Sequence, residues 1–178
     1  MRGLPIHSLL AGQVAAVTLD RPPFGNMLIV RTSLDALPAG LQTFFPSTPL
    51  PTPDPSGLHL TCPYLSMPST WDTSHPAIYV LYAHLNRPPL VLPGQEVGCG
   101  LPLGEVGTTG RSVNDHLHLE IRLGPGNVEF PSMAHYTADA SPAEIAAYCQ
   151  WRVSAHFQPI SPLDLLTASK VYWKPDLP

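Results

Sequence analysis

The chain has 178 residues, of which 44% are hydrophobic and 12% charged, with a formal net charge of −4. That length and balance suit one folded domain with a real core and exclude a disordered polyelectrolyte. No run of Lys and Arg appears, so phosphate-backbone contact has no electrostatic source and nucleic acid is not expected as a partner.

Proline is the compositional outlier, with 23 residues against a usual share of ~5%. So many fixed φ angles and missing donors exclude a helix bundle and favour short strands joined by turns. No apolar run reaches the ~20 residues of a membrane span. The N-terminus shows no basic region followed by a long apolar segment, so no signal peptide is visible in this chain. Cys62, Cys99 and Cys149 are widely spaced and lack a C-x-x-C pattern. One disulfide with a free thiol, or three buried thiols, both satisfy that spacing.

In chain order, Leu4 to Val17 is small and apolar around Gly12. Asp20 to Asn26 is a turn by its Pro and Gly content, and Met27 to Val30 is a short apolar strand, so Gly12 to Val30 reads as a β-hairpin. Ser33 to Pro76 holds nine prolines and little periodicity, which predicts a long loop or insertion, partly polyproline-like. His59, Trp71, Asp72 and His75 lie in it. Ala77 to Leu85, A-I-Y-V-L-Y-A-H-L, is a continuous β-favouring run that predicts a buried strand ending at His84. Pro88 to Val106 alternates turn residues with very short apolar pieces, as in a small barrel or sandwich. Gly107-Thr-Thr-Gly110 is a further turn. It lacks the G-K-[ST] and strand-to-helix context of a phosphate loop.

Asp115-His-Leu-His-Leu-Glu-Ile-Arg122 alternates polar and apolar with a period of two. As a strand it places His116, His118, Glu120 and Arg122 on one face, expected to be accessible, and Leu117, Leu119, Ile121 and Leu123 on the other. Two imidazoles on one strand face are what a zinc site or a histidine acid/base site needs. A solvated histidine pair is the alternative. Further on, Ser141 can cap, Pro142 can take the first helical position and Glu144 can complete a capping box, predicting a helix over 141–157. His156 near its end suits a dipole contact rather than a ligand. Ser161 to Leu166 repeats the cap-and-proline start as one short turn of helix, and 170–178 is a tail.

Taken together, Tyr82-Ala-His84-Leu, Pro93-Gly-Gln-Glu-Val97, Gly104-Glu-Val-Gly-Thr-Thr-Gly110 and His116-Leu-His-Leu-Glu-Ile-Arg122 resemble the LytM/lysostaphin-type zinc metallopeptidases. The likeness in order and spacing covers roughly residues 3 to 123, and Ser161-Pro-Leu-Asp-Leu resembles the family's closing segment displaced by a helical insertion. The resemblance implies a mainly β, antiparallel, small barrel-like peptidase domain spanning 1–178, with a proline-rich insertion at 33–76 and a C-terminal helical insertion. It implies zinc as cofactor and the peptide cross-links of peptidoglycan as substrate, hence an extracytoplasmic location. By motif, His118 is a zinc ligand, while His84 and His116 flank the metal and act on its water and the developing oxyanion. Zinc lowers the pKa of its water towards 7, and a neutral imidazole can take the proton.

The resemblance also implies an H-x-x-x-D ligand pair just before the segment aligned with Gly3-Leu-Pro-Ile, and the chain begins at Met1-Arg2. His7 falls where the family has a small or apolar residue. A catalytic zinc normally has three protein ligands and a water, and one is present here by motif. The expectation is therefore an incomplete site, inactive as the chain stands, whose missing ligands lie upstream of a mis-assigned start. The alternatives are a non-catalytic LytM-like domain that binds cell-wall peptide or regulates a partner hydrolase, and a site completed by His59, His75 or Asp72.

Overall fold

The computed structural model describes residues 1–42, 62, 65–163 and 165. Its centre is an antiparallel six-stranded sheet formed by β2 (Gly12–Arg21), β3 (Gly25–Ser33), β4 (Asp72–Ala83), β5 (Glu96–Val97), β7 (His118–Gly126) and β8 (Gln158–Ile160). The strands lie in the order β5-β2-β3-β4-β7-β8, and the sheet is open, with β5 and β8 at its edges. A separate antiparallel pair joins β1 (Pro5–His7) to β6 (Pro102–Glu105). The expected hairpin is β2–β3, longer than its apolar centre suggests. β4 is likewise extended, beginning at Asp72 inside the stretch expected as loop.

Alternation along the strands sends side chains to two cores. Leu28 and Val30 of β3, Ile78, Val80 and Tyr82 of β4, and Leu119, Ile121 and Leu123 of β7 point to one, where Ile6, Leu85, Leu103 and Val106 close over them. Met27 and Ile29, and then Ala77, Tyr79, Leu81 and Ala83, point to the other. That second face is covered by helix α2 (Pro142–Val153) with Val128, Phe130, Met133 and Phe157. Because β4 is buried on both faces, its sequence reads as an unbroken apolar run rather than an alternation. An α1 of four residues (Ala39–Gln42) follows a 3-10 turn at Leu34–Ala36, so the start of the proline-rich stretch is not all loop. His59 and about half of that stretch lie outside the described residues, as do residues 166–178.

Helix α2 starts as its sequence predicts. The Ser141 side chain accepts from the Glu144 backbone N–H, and the Glu144 carboxylate accepts from the Ser141 backbone N–H. Such a reciprocal cap satisfies two donors left open at a helix start. Arg21, at the end of β2, donates from Nε and Nη2 to the same carboxylate at 2.9 and 3.0 Å, tying the helix to the hairpin. The helix ends at Val153, three residues before His156, whose ring instead meets the edge of Trp71. Cys149 on α2 forms a disulfide with Cys62, which leaves Cys99 as an exposed thiol.

The placement of α2 changes one expectation. The polar face of β7 is not open to solvent, since the Glu120 and Arg122 side chains retain only 11% and 2% of their exposure. Period-two alternation reports which residues share a face, and whatever later covers that face is set by chain some thirty residues away.

Candidate active site

Three imidazoles meet where β4 ends and β7 begins. His84 follows β4 directly, in a left-handed conformation (φ 62°), and is buried. Its backbone N–H donates to Phe24 O at 2.9 Å, so the turn sits on the hairpin tip. His118 opens β7 and pairs with Ala83. His116 lies two residues earlier, where an isolated bridge links it to Gly107. The His84 ring centroid is 4.9 Å from that of His116 and 5.6 Å from that of His118. The structure thus brings together all three histidines singled out by sequence. Non-glycine residues with positive φ are uncommon and concentrate at functional sites, and the one at His84 turns the ring out of the strand path.

Each ring has one nitrogen committed to an acceptor. His84 Nδ1 lies 2.8 Å from Thr109 O, and His116 Nδ1 lies 2.9 Å from Asn114 O. A carbonyl oxygen only accepts, so in the neutral rings the proton sits on Nδ1 and the lone pair on Nε2. In His118 the assignment is reversed. Its Nε2 lies 2.9 Å from Glu120 Oε1, leaving the lone pair on Nδ1. Burial, followed by the nearby His118 and His116, lowers the pKa of His84 against the opposing Thr109 hydrogen bond, which favours a neutral ring available as a base.

The Gly107–Gly110 turn, which closes one of the motifs that carry the resemblance, holds His84. Thr109 Oγ1 donates to Leu85 O at 2.8 Å and accepts from Asn26 N–H at 3.0 Å. Gly25 and Gly110 both have positive φ and their backbones touch. A Cβ on Gly25 would collide with the carbonyl carbon of Thr109, and one on Gly110 with the nitrogen of Gly25. Only glycine fits such an approach without strain.

Glu120 is the other residue whose part the sequence did not disclose. Its carboxylate accepts from His118 Nε2, Arg122 Nε and Nη2, Trp151 Nε1 and Arg152 Nη1. Burial alone would push its pKa up. The His118 hydrogen bond and the charges of Arg122 and Arg152 outweigh that and hold it at about 2.

The fit to zinc is partial. His118 offers Nδ1 as a ligand, with its other nitrogen oriented by a carboxylate, as metal-bound histidines usually have. Among the described residues, however, one group of three ligand-type side chains has its ligand atoms within 4.8 Å of one another. That group is Cys62, His135 and Cys149, and its sulfurs are joined to each other. Asp72 and His75 cannot serve. They sit at the start of β4, roughly 40 and 30 Å from His84 at ~3.3 Å per strand residue. His7, on β1, makes no described contact with the three imidazoles.

Residues 72–130 match the family model of peptidase family M23. The segment contains the three histidines, the Gly107–Gly110 turn and Glu120. Among solved structures, the chain is similar to a zinc-containing peptidase from Vibrio cholerae, with 22% identity over 68% of this chain and 24% of that one, at a TM-score of 0.40. It is also similar to the catalytic domain of the antimicrobial peptidase lysostaphin from Staphylococcus simulans, with 16% identity over 69% and 61% and a TM-score of 0.41. A third is a mutant catalytic domain of a prophage-encoded M23 protein from Enterococcus faecalis, with 17% identity over 78% and 72% and a TM-score of 0.40. The chain thus spans about a quarter of the Vibrio protein. No curated protein matches it.

Proposed function

We propose that this is a zinc endopeptidase domain directed at the peptide cross-links of bacterial cell walls, and that the described residues supply part of its metal site. The observation that carries the reading is the convergence of His84, His116 and His118 inside the family-matched segment, each with one nitrogen fixed and the other left with a lone pair.

When bound, zinc would acidify a water and polarise the scissile carbonyl. Of the chain's own residues, His118 would hold the metal through Nδ1. The lone pair on His84 or His116 Nε2 can accept a proton from the attacking water, and either ring, once protonated, can donate to the developing oxyanion or leaving amine. The disulfide accords with an oxidising, extracytoplasmic compartment. Among the described residues no helix is long and apolar enough to cross a membrane.

One observation favours a second reading, a non-catalytic domain that binds cell-wall peptide or regulates a partner hydrolase. Among the described residues, His118 belongs to no group of three ligand-type side chains whose ligand atoms lie within 4.8 Å of one another.

Zinc titration of the 178-residue chain, followed by calorimetry and by NMR of the imidazoles, tests both. The expected result is weak binding that perturbs all three rings and disappears in His118→Ala, with little peptidase turnover. Zinc that leaves the three rings unperturbed would sink the proposal. Binding of cell-wall peptide that is equally strong in His118→Ala and His84→Ala would establish the second reading. Tight zinc binding with robust turnover would show the site to be complete.

A further inference from the structure

We propose that Glu120 is a positioning residue for His118, and that helix α2 holds it in place through Trp151 and Arg152. The inference rests on the reading of His118 as a metal ligand and names what aims that ligand. Glu120 and His118 project from the same face of β7, two residues apart, so their side chains are neighbours by strand geometry. A free carboxylate on a strand face has many rotamers, and this one is fixed from three sides. Arg122 grips Oε2 from the same strand at 2.8 and 3.0 Å. Trp151 Nε1 donates to Oε2 at 3.0 Å, and Arg152 Nη1 donates to Oε1 at 3.2 Å. Oε1 is also the atom that accepts the hydrogen bond from His118 Nε2.

Trp151 and Arg152 lie beyond residue 130, outside the family-matched segment. The chain that follows the matched segment therefore reaches back to secure a residue that orients the ligand. Trp151 is fully buried, and its ring also packs under the Arg122 guanidinium at 5.0 Å. The same helix carries Cys149, bonded to Cys62, so the carboxylate is referred to a cross-linked element rather than to a loose loop. A merely structural part for Glu120, as counter-charge to the buried Arg122, would leave the His118 tautomer free to vary. The contact to Nε2 does not.

Long-range ¹⁵N–¹H correlation spectra of the metal-free 178-residue chain read the tautomer directly. In the unmodified chain the His118 proton is expected on Nε2, and on Nδ1 in His84 and His116. In Glu120→Gln, and in the double variant Trp151→Phe/Arg152→Met, a detectable Nδ1–H population is expected at His118 alone. The double variant keeps the Glu120–Arg122 pair, so it decides the matter if Glu120→Gln fails to fold. Zinc affinity is expected to fall about 10–100-fold in the folded variants, the usual consequence of losing an outer partner of a ligating histidine. A proton on Nδ1 of His118 in the unmodified chain overturns the proposal. So does a His118 tautomer unchanged in the folded double variant. Zinc that perturbs none of the three rings overturns the functional reading and leaves the tautomer result standing.

Discussion

Strands β4 and β7 carry histidines at both ends of their pairing, and the two ends are built differently. Where Ala83 meets His118, the rings of His84, His116 and His118 are buried or half-buried, and each has one nitrogen on an acceptor, Thr109 O for His84, Asn114 O for His116 and the Glu120 carboxylate for His118. Where Asp72 meets Gly126, the His75 side chain is 68% exposed and pairs with Asp72, three residues before it in the same strand. His156 stands nearby against Trp71. Both ends contain imidazoles and a carboxylate. At the first end Thr109 fixes His84 from 25 residues away, and Trp151 and Arg152 fix the Glu120 beside His118 from 31 and 32 residues away, whereas the second makes a local surface pair of the kind that contributes little. The proposed chemistry lies at the first.

The largest expected effect comes from uncovering the first end. Trp151→Ala empties a fully buried site on α2 and takes a donor from Glu120. It should cost about 3–5 kcal/mol, as large aromatic truncations do, read as a lower denaturation midpoint with unchanged slope.

A smaller effect is expected beneath His84. Gly25→Ala or Gly110→Ala forces a Cβ into neighbouring backbone at a positive φ. Each should destabilise by about 1–3 kcal/mol and weaken the His84–Thr109 hydrogen bond, seen as a changed His84 ring signal.

Acid titration probes how α2 is tied down. The Arg21 hydrogen bonds, and then the Ser141 N–H, hold the Glu144 carboxyl at about 2 in the folded chain, below its ordinary value of 4.5. The unfolded chain therefore binds the proton first. The stabilisation from this group is complete above pH 4.5 and is lost as the pH falls towards 2. Thermal melts between pH 5 and 2 should decline less steeply in Glu144→Gln.

At the second end, the smallest effect is expected. His75→Ala should leave the melting temperature and the zinc response of the other three rings unchanged. A zinc affinity lowered by His75→Ala would dissolve the distinction between the ends.

What the sequence disclosed follows from the range of the interactions. The β2–β3 hairpin, the β4 run and the Ser141–Glu144 cap are written in residues close together, so spacing and propensity reach them. The three histidines were legible because two stand one residue apart in a period-two pattern and the third ends an apolar run. The partner of each ring was less so. Thr109 sits 25 residues from His84. Glu120 was visible on the right face, but the Trp151 and Arg152 that fix it lie 31 and 32 residues further on. The accessible polar face expected for β7 failed for the same reason, since nothing within the strand announces that a helix will cover it. The pairing of Cys62 with Cys149 spans 87 residues, and spacing alone left it open.

The contact between Gly25 and Gly110 carries a consequence for descent. Each glycine fills the space that a side chain on the other's turn would need, so neither position can drift while its counterpart stays put. Across related chains the two should be kept or exchanged as a pair, with one turn lengthening when the other loses its glycine. A saturation library scored for folding would show it as a marked non-additive pair, 85 positions apart in the chain and adjacent in space.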